Sequence, residues 1–160
     1  MRIGSGYDVH RFGPGNHVML GGVRIPHDRG LAAHSDGDVL LHALMDALLG
    51  ACGAGDIGQH FPPGDARYAG ADSRGLLREV MKLVGARGFA VLNCDLTLVA
   101  ESPRIGAHRD AICSAIAADL DVDRSRVNLK ATTSEGLGAL GRGEGIAAQA
   151  IVLLREGDGA

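Results

Sequence analysis

The chain has 160 residues, with 16 Lys and Arg against 19 Asp and Glu and a formal net charge of −3. Without a cluster of basic residues, this balance gives no indication of binding to nucleic acid or to an anionic membrane surface. No stretch reaches the roughly 18 apolar residues of a transmembrane helix. Three widely spaced cysteines form neither a disulfide framework nor a zinc knuckle. We therefore predict a single domain over residues 1–160, located in the cytoplasm.

Hydrophobic periodicity predicts four longer strands, a small hairpin and three helices. The chain opens with a strand over residues 1–12 and a hairpin at 18–25 that turns on Gly21-Gly22, followed by a polar loop at 27–37. A helix at 38–49, ended by Gly50, leads into a loop at 50–72 and a second helix at 73–85. A strand at 89–101 comes next, and Ser102-Pro103 has the pattern of a helix cap that opens a short turn and then a helix to about 120. Strands at 127–131 and 146–154 complete the chain.

These elements predict an α+β fold, a two-layer sandwich of ferredoxin-like type. It has a four-stranded mixed sheet plus the small hairpin, with three helices on one face of the sheet. The closing strand is apolar on both faces except at Gln149. The face without helices therefore needs another cover, which predicts self-association.

The opening strand carries Asp8 and His10, whose side chains point to the same face because residues two apart on a strand do so. The first helix adds a second imidazole, His42, on an otherwise apolar surface. Three nitrogen and oxygen donors with an open fourth position are typical of catalytic zinc, whereas structural zinc more often recruits Cys. The alternative is a polar pair at a strand end and a hydrogen-bonded core histidine. Spacing alone leaves both interpretations open.

Two carboxylates share a stripe of the first helix with His42. Asp38, His42 and Asp46 lie at positions i, i+4 and i+8. Metal-bound histidines usually donate their second ring nitrogen to an outer partner, often a carboxylate. We therefore expect Asp38 or Asp46 to hold that nitrogen, although Asp46 fits equally well as a surface residue.

The loop before the first helix carries His34 and Ser35. Ser35 and Asp38 have the Ser-x-x-acid spacing of a helix start, where backbone N–H groups favour an anion. The alternative for His34 is an ordinary solvated histidine. The later loop at 50–72 carries Asp56 and Asp65, and loops of this length are usually functional or mobile.

A second candidate loop follows the strand at 127–131. Thr132 and Thr133 offer hydroxyls to phosphate oxygens, and Glu135 offers a carboxylate to a hard cation. The alternative is a Thr-rich strand end. Further on, Arg142 and Glu144 either anchor a phosphate or pair with each other across an interface.

Taken together, these motifs resemble the 2-C-methyl-D-erythritol 2,4-cyclodiphosphate synthase family nearly end to end and in order. The motifs are Gly6–Arg11, His34–Asp38 with His42 and Asp46, Gly55–Gly58, Ala71–Arg74, Ala131–Thr133 and Gly141–Gly145. Pro63 departs from the family, in which an acidic residue is common at this position.

The resemblance implies a phosphorus–oxygen lyase of the non-mevalonate isoprenoid pathway. Such enzymes convert 4-diphosphocytidyl-2-C-methyl-D-erythritol 2-phosphate into 2-C-methyl-D-erythritol 2,4-cyclodiphosphate and release CMP. The family is homotrimeric, with active sites between adjacent subunits. Its cofactors are one Zn²⁺ per subunit, with an open fourth position, and Mg²⁺ or Mn²⁺ that binds together with the substrate diphosphate.

The resemblance also implies roles for individual residues. Asp8, His10 and His42 correspond to the zinc ligands, and Glu135 to a contact of the second divalent ion. His34 and Thr133 correspond to the catalytic residues that stabilise the transition state. The implied substrate-binding residues are Ser35, Asp56, Ile57, Gly58, Phe61, Asp65, Ala100, Pro103, Arg104, Ile105, Gly106, Thr132, Ser134 and Arg142.

Without the resemblance, the residues leave two other functions open. One is a mononuclear zinc hydrolase, in which the open position activates water. The other is a non-catalytic oligomeric module with a structural zinc, which would require four protein ligands.

Overall fold

The computed structural model describes residues 1–157, so the last three positions of the predicted domain, 158–160, lie outside the described residues. The strands are β1 (Arg2–Gly13), β2 (His17–Leu20), β3 (Val23–Pro26), β4 (Gly30–Leu31), β5 (Phe89–Val99), β6 (Val127–Thr132) and β7 (Gly145–Glu156). The helices are α1 (Val39–Ala51), α2 (Ile57–His60), α3 (Ser73–Ala86), α4 (Arg109–Leu120) and α5 (Gly138–Gly141).

The fold is a mixed α+β fold with a five-stranded mixed sheet in the order β4-β1-β7-β5-β6 and a separate β2-β3 hairpin. Among residues 1–157 the β5–β6 pair alone is parallel, and α4 makes the crossover between these strands. The predicted four-stranded sheet is therefore one strand short. The additional strand, β4, pairs Gly30 and Leu31 with the end of β1. Two residues are too few to produce a detectable period, so the sequence showed only a loop here.

The strand β1 lies directly on α1 because its inward-facing residues are glycines. A Cβ added at Gly4 would come 2.0 Å from the carbonyl oxygen of Ala47, and one added at Gly6 would come 2.0 Å from that of Ala43. The next two residues on this face are Asp8 and His10, and both contact His42 of α1. This close packing brings the predicted metal-binding face of the strand to His42.

The start of α1 is fixed by the fully buried Asp38. Its carboxylate accepts from the backbone N–H of Leu41 as an N-cap, and from those of Gly21 and Gly22 at 2.9 and 2.7 Å. The N-cap is therefore Asp38 and not Ser35, and the helix begins at Val39. It runs through Gly50 to Ala51, two residues past the last position of the predicted helix, 49.

The predicted helix cap at Ser102 is wrong, whereas the predicted short turn followed by a helix to residue 120 is present. The Ser102 hydroxyl contacts Nε2 of His27 at 3.3 Å and does not cap a helix. A short 3-10 turn at Gly106–His108 comes first, and α4 begins at Arg109. The segment between β5 and α4 is therefore an open loop, and it forms one wall of a cavity described below.

One face of the sheet is buried against α1, α3 and α4, and the other carries exposed apolar side chains. Alternate β7 residues from Ile146 to Leu154 belong to the core. On the opposite face Ile3, Tyr7, Val9 and Ile151 are between 42% and 73% exposed. Among the described residues no helix has the length and apolar character needed to cross a membrane.

Candidate metal centre and neighbouring cavities

Three side chains from β1 and α1 converge on one point. The Oδ2 atom of Asp8 lies 3.0 Å from Nε2 of His10 and 3.0 Å from Nδ1 of His42, and these two nitrogens are 3.0 Å apart. Among residues 1–157, Asp8, His10 and His42 are the one group of three or more His, Cys, Asp or Glu side chains whose donor atoms lie close enough together to hold a metal ion.

The triangle fits a small divalent cation. Zinc–nitrogen and zinc–oxygen bonds of about 2.0–2.1 Å place neighbouring donors of a tetrahedron about 3.3 Å apart. The three observed separations are close to that value. The two ring nitrogens and the carboxylate oxygen all face one another. One proton shared among these three atoms cannot give each of them a hydrogen bond. A cation in contact with all three donors would satisfy them together, and such a set leaves one tetrahedral position open.

The electrostatics of the triangle favour an ionised carboxylate. Burial alone would raise the pKa of Asp8, but the hydrogen bonds and the charges of His10 and His42 outweigh burial and hold this pKa well below its usual range. Asp8 is therefore an anionic donor throughout the physiological pH range. Metal binding requires a ligand in this state.

The second ring nitrogen of His42 is held by hydroxyl groups. Its Nε2 atom lies 3.1 Å from Oγ of Ser35 and 3.2 Å from Oγ of Ser73. This corrects the expectation that Asp38 or Asp46 holds this nitrogen. Asp38 is occupied by the three N–H groups at the start of α1, as described above.

The carboxylate of Asp46 supports the next loop. Its Oδ1 atom accepts from the backbone N–H of Ile57 at 2.8 Å and so anchors the first residue of α2. Burial raises the pKa of Asp46 despite this hydrogen bond. The polar stripe on α1 therefore has three different uses, namely a helix cap, the metal centre and a loop anchor.

A cavity of about 270 Å³ opens beside the triangle. It is lined by eight of the predicted site residues: Asp8, His10, His34, Ser35, His42, Ile57, Gly58 and Phe61. Met45, Tyr68 and Leu76 add apolar walls, so the three candidate ligands lie in a largely apolar environment. Pro63 also lines this cavity.

Two predicted carboxylates near this cavity are occupied by local turns. Asp56 caps α2 by accepting from the backbone N–H of Gln59 at 3.0 Å. The side chain of Arg67 hydrogen-bonds to Asp65 and lowers the pKa of Asp65 to about 2. The carbonyl oxygen of Asp65 lies 3.3 Å from Nε2 of His34, so the backbone of Asp65 contacts a residue that lines the cavity.

A second cavity, of about 300 Å³, lies between the loop after β5 and the end of β6. It is lined by seven predicted site residues: Ala100, Pro103, Arg104, Ile105, Gly106, Thr132 and Thr133. None of the described residues lines both cavities. The two predicted catalytic residues, His34 and Thr133, therefore belong to different cavities of the same chain.

The loop after β6 is held by a residue that the sequence analysis missed. The Oε1 atom of Glu101 accepts from the backbone N–H and the hydroxyl of Ser134, at 3.1 and 3.2 Å, and from the N–H of Gly136. The backbone of Glu135 has a φ of +53°, and the Thr133 hydroxyl donates to its carboxylate at 3.0 Å. Glu101 thus holds the loop that presents Thr133 and Glu135, and no local motif indicated this long-range contact.

Arg142 stands apart from both cavities. Its guanidinium pairs with the carboxylate of Glu144 at 2.6 Å. Of the two interpretations given above, the pairing is therefore present, but it joins two residues of the same chain.

A larger cavity is remote from this chemistry. It measures about 660 Å³ and lies where β5 begins, beside the ends of α3 and α4. Several of its charged groups already have partners, such as Arg78 with Asp119 and Arg126 with the carbonyl oxygen of Leu92. Volume alone therefore does not identify the functional site here.

Comparisons with known proteins agree with the resemblance. The profile of the YgbB family matches residues 1–155. The 2-C-methyl-D-erythritol 2,4-cyclodiphosphate synthase of Chromohalobacter salexigens is 64% identical over 154 residues, which are 96% of this chain and 95% of the relative. The enzyme of the same name from Stutzerimonas stutzeri is 61% identical over 96% of this chain and 98% of its own length.

Solved structures give the same result. A structure of 2C-methyl-D-erythritol-2,4-cyclodiphosphate synthase in a CDP-bound form superposes with a TM-score of 0.88 at 44% identity, covering 96% of this chain and 100% of its own. The CDP complex of IspF from Plasmodium falciparum superposes with a TM-score of 0.86 at 33% identity, covering 98% of this chain and 97% of its own.

Proposed function

The chain belongs to the YgbB family, and its relatives are 2-C-methyl-D-erythritol 2,4-cyclodiphosphate synthases. We propose a role in the synthase reaction for each of its site residues. The enzyme converts 4-diphosphocytidyl-2-C-methyl-D-erythritol 2-phosphate into the cyclic diphosphate and releases CMP. The observation that carries the assignment of residues is the convergence of Asp8, His10 and His42 beside a cavity.

The reaction is an intramolecular phosphoryl transfer. An oxygen of the 2-phosphate forms a bond to the β-phosphorus, and the bond from that phosphorus to the bridging oxygen of CMP breaks. The attacking group is already an anion, so no strong general base is needed. The protein must instead neutralise charge and align two phosphates that repel each other.

The metal centre would be held by Asp8, His10 and His42. We propose zinc because the donors are two imidazoles and one carboxylate with an open position. When bound, zinc acts as a Lewis acid toward a phosphoryl oxygen. Glu135 would contact a second, harder ion, Mg²⁺ or Mn²⁺, that binds with the diphosphate, because carboxylate oxygens suit such ions.

The two cavities would bind different parts of the substrate. We assign the erythritol end to Asp56, Ile57, Gly58, Phe61 and Asp65, beside the metal centre. We assign the cytidine to the second cavity, with Ala100, Pro103, Arg104, Ile105, Gly106, Thr132 and Ser134. His34, Ser35 and Thr133 would donate hydrogen bonds to phosphate oxygens, and Arg142 would add positive charge. The apolar walls of the first cavity would exclude water, which would otherwise hydrolyse the diphosphate.

The active site would lie between subunits of a trimer. His34 and Thr133 line separate cavities of one chain, and we propose that the substrate contacts the first cavity of one copy and the second cavity of its neighbour. The exposed apolar side chains of Ile3, Tyr7, Val9 and Ile151 supply a surface for that contact. Each subunit would be a single two-layer domain of ferredoxin-like type. The alternative of a structural zinc module fits less well, because the described donor group has three members.

The metal role is tested by following CMP release from the cytidine diphosphate substrate. We expect activity with Mg²⁺, loss of activity after zinc is removed by a chelator, and recovery when zinc is returned. Free inorganic phosphate as the product, without the cyclic diphosphate, would indicate the zinc hydrolase instead. Full activity in zinc-free protein would contradict the assignment of the metal centre.

The arrangement between subunits is tested by mixing two inactive variants, His42→Ala and Thr133→Ala. A site shared between subunits gives some interfaces with both wild-type residues after the subunits exchange, so the mixture should recover activity. Each variant exchanged with itself is the control. A mixture that forms mixed trimers and stays as inactive as its components would place both residues in a site within one subunit.

A further inference from the structure

The ring of His42 is held on both of its nitrogens. Its Nδ1 atom faces Asp8 and His10, and its Nε2 atom faces the hydroxyls of Ser35 and Ser73. Ser73 is fully buried and is the first residue of α3, a helix that lies 31 positions further along the chain. The partner of the metal-binding histidine therefore comes from a different element, outside the predicted polar stripe.

The proton of the Ser73 hydroxyl is committed elsewhere. Its Oγ atom donates to Oδ1 of Asp36 at 2.5 Å. A serine hydroxyl has a single proton to donate, so toward His42 the oxygen of Ser73 can only accept. A hydrogen bond between Ser73 and His42 therefore requires the proton on Nε2 of His42, and the lone pair of Nδ1 is then free. The Oγ atom of Ser35 can accept from the same proton, whereas Nε2 without a proton would face the lone pair of Ser73.

Asp36 is itself firmly positioned. Its carboxylate also accepts from the backbone N–H of Ser73 at 3.1 Å and from that of Asp38 at 3.2 Å. The carboxylate thus connects the start of α3 with the segment that leads into α1. This connection fixes the position of the Ser73 hydroxyl relative to the ring of His42.

We propose that Asp36 and Ser73 are positioning residues that select the tautomer of His42 with the proton on Nε2, and so present an unprotonated Nδ1 to the cation. The proposal rests on the proposed function only in that a cation binds at Asp8, His10 and His42. In this arrangement a carboxylate acts on the metal-binding histidine through a hydroxyl. Hydrogen bonds to the outer nitrogen orient the ring and increase its basicity as a ligand.

A matched control variant distinguishes selection of the His42 tautomer from a purely structural role of Asp36 and Ser73. Asp72 is the side-chain cap of α3 and accepts from the backbone N–H of Arg74 at 3.1 Å. Replacing it removes a cap from the same helix without removing a partner of His42. If Asp36 and Ser73 only stabilise α3, the variants Ser73→Ala and Asp72→Ala should behave alike.

The experiment measures the full-length protein in two states. In the metal-free protein, nitrogen NMR of the histidine rings reports which nitrogen of His42 carries the proton. Titration with zinc, or with Co²⁺ as a spectroscopic substitute, reports the affinity. We expect wild-type His42 to be protonated on Nε2. We expect Ser73→Ala to lower zinc affinity about 10-fold or more, with a larger share of the other tautomer.

Two further variants complete the design. Asp36→Asn removes the negative charge that accepts the hydrogen bond from the Ser73 hydroxyl. It should change the zinc affinity and the tautomer of His42 in the same direction as Ser73→Ala. Asp72→Ala should lower the thermal midpoint and leave both readings as in the wild type. Wild-type zinc affinity and an unchanged tautomer in Ser73→Ala would overturn the proposal, as would wild-type His42 protonated on Nδ1. Because neither reading uses CMP release, a protein that behaves as expected here but forms no cyclic product would contradict the proposed function alone.

Discussion

The candidate metal centre and the loop after β6 are positioned in different ways. Asp8, His10 and His42 lie on one long strand and one long helix that pack directly on each other. Thr133 and Glu135 lie on a loop with a positive φ at Glu135, and that loop is held by the carboxylate of Glu101. Regular elements transmit the spacing of their side chains over many residues, whereas a loop depends on individual anchoring contacts.

The two regions therefore depend on different contacts. The three donors of the metal centre meet within one chain. The loop after β6 lines a cavity that shares no described residue with that centre. We therefore expect changes in one region to leave the other intact, and the following predictions test this independence.

The largest effect is expected from His42→Ala. Removing one of three donors should abolish zinc binding and lower CMP release by more than about 100-fold, which exceeds the effect of losing an outer hydrogen bond. Zinc content by elemental analysis and CMP release measure the two losses. His17→Ala is the control, because His17 contacts Asn16 in the hairpin and should leave both values unchanged. Full zinc content in His42→Ala would remove this residue from the metal centre.

The next largest effect is expected from Asp38→Ala, which tests how much the buried carboxylate at the start of α1 stabilises the helix that carries His42. The change removes an N-cap and leaves the N–H groups of Gly21 and Gly22 without their acceptor. We expect the free energy of unfolding to fall by about 3 kcal/mol, measured by urea denaturation. Asp72→Ala, which removes a single exposed cap, should cost about 1 kcal/mol. Equal losses in the two variants would show that the contacts with the hairpin contribute little.

The loop after β6 is tested by Glu101→Ala. The loss of three hydrogen bonds to one carboxylate oxygen should lower kcat/KM by about 10-fold, with zinc content unchanged. Glu79→Ala is the control, because Glu79 forms an exposed pair with Lys82 on α3. A fall in zinc content in Glu101→Ala would show that the two regions are not independent.

The smallest effect is expected from Asp46→Ala. Asp46 anchors Ile57, so its loss should loosen α2 and raise KM about 3-fold without changing zinc affinity. Metal titration and steady-state kinetics measure the two quantities. A 10–100-fold loss of zinc affinity would instead restore the interpretation of Asp46 as an outer partner of His42.

The same contrast explains what the sequence could predict. The spacing of Asp8 and His10 is visible because a strand alternates, and His42 is visible as a polar residue on an apolar helix. The partners Ser73 and Asp36 were missed because their contacts join positions that are 31 and 37 residues apart, with no period to connect them. Glu101 was missed for the same reason, since Ser134 lies 33 residues away. Local capping signals also failed at Ser102, whose hydroxyl has a long-range partner.

The bare backbone contact of Gly4 and Gly6 with α1 has a consequence for protein engineering. Gly4 and Gly6 have no side chain that could be shortened, and a methyl group added at either would overlap a carbonyl oxygen of α1. A single substitution at these two glycines therefore cannot change the distances between the three donor atoms. A design for a larger cation would have to exchange the donor residues themselves.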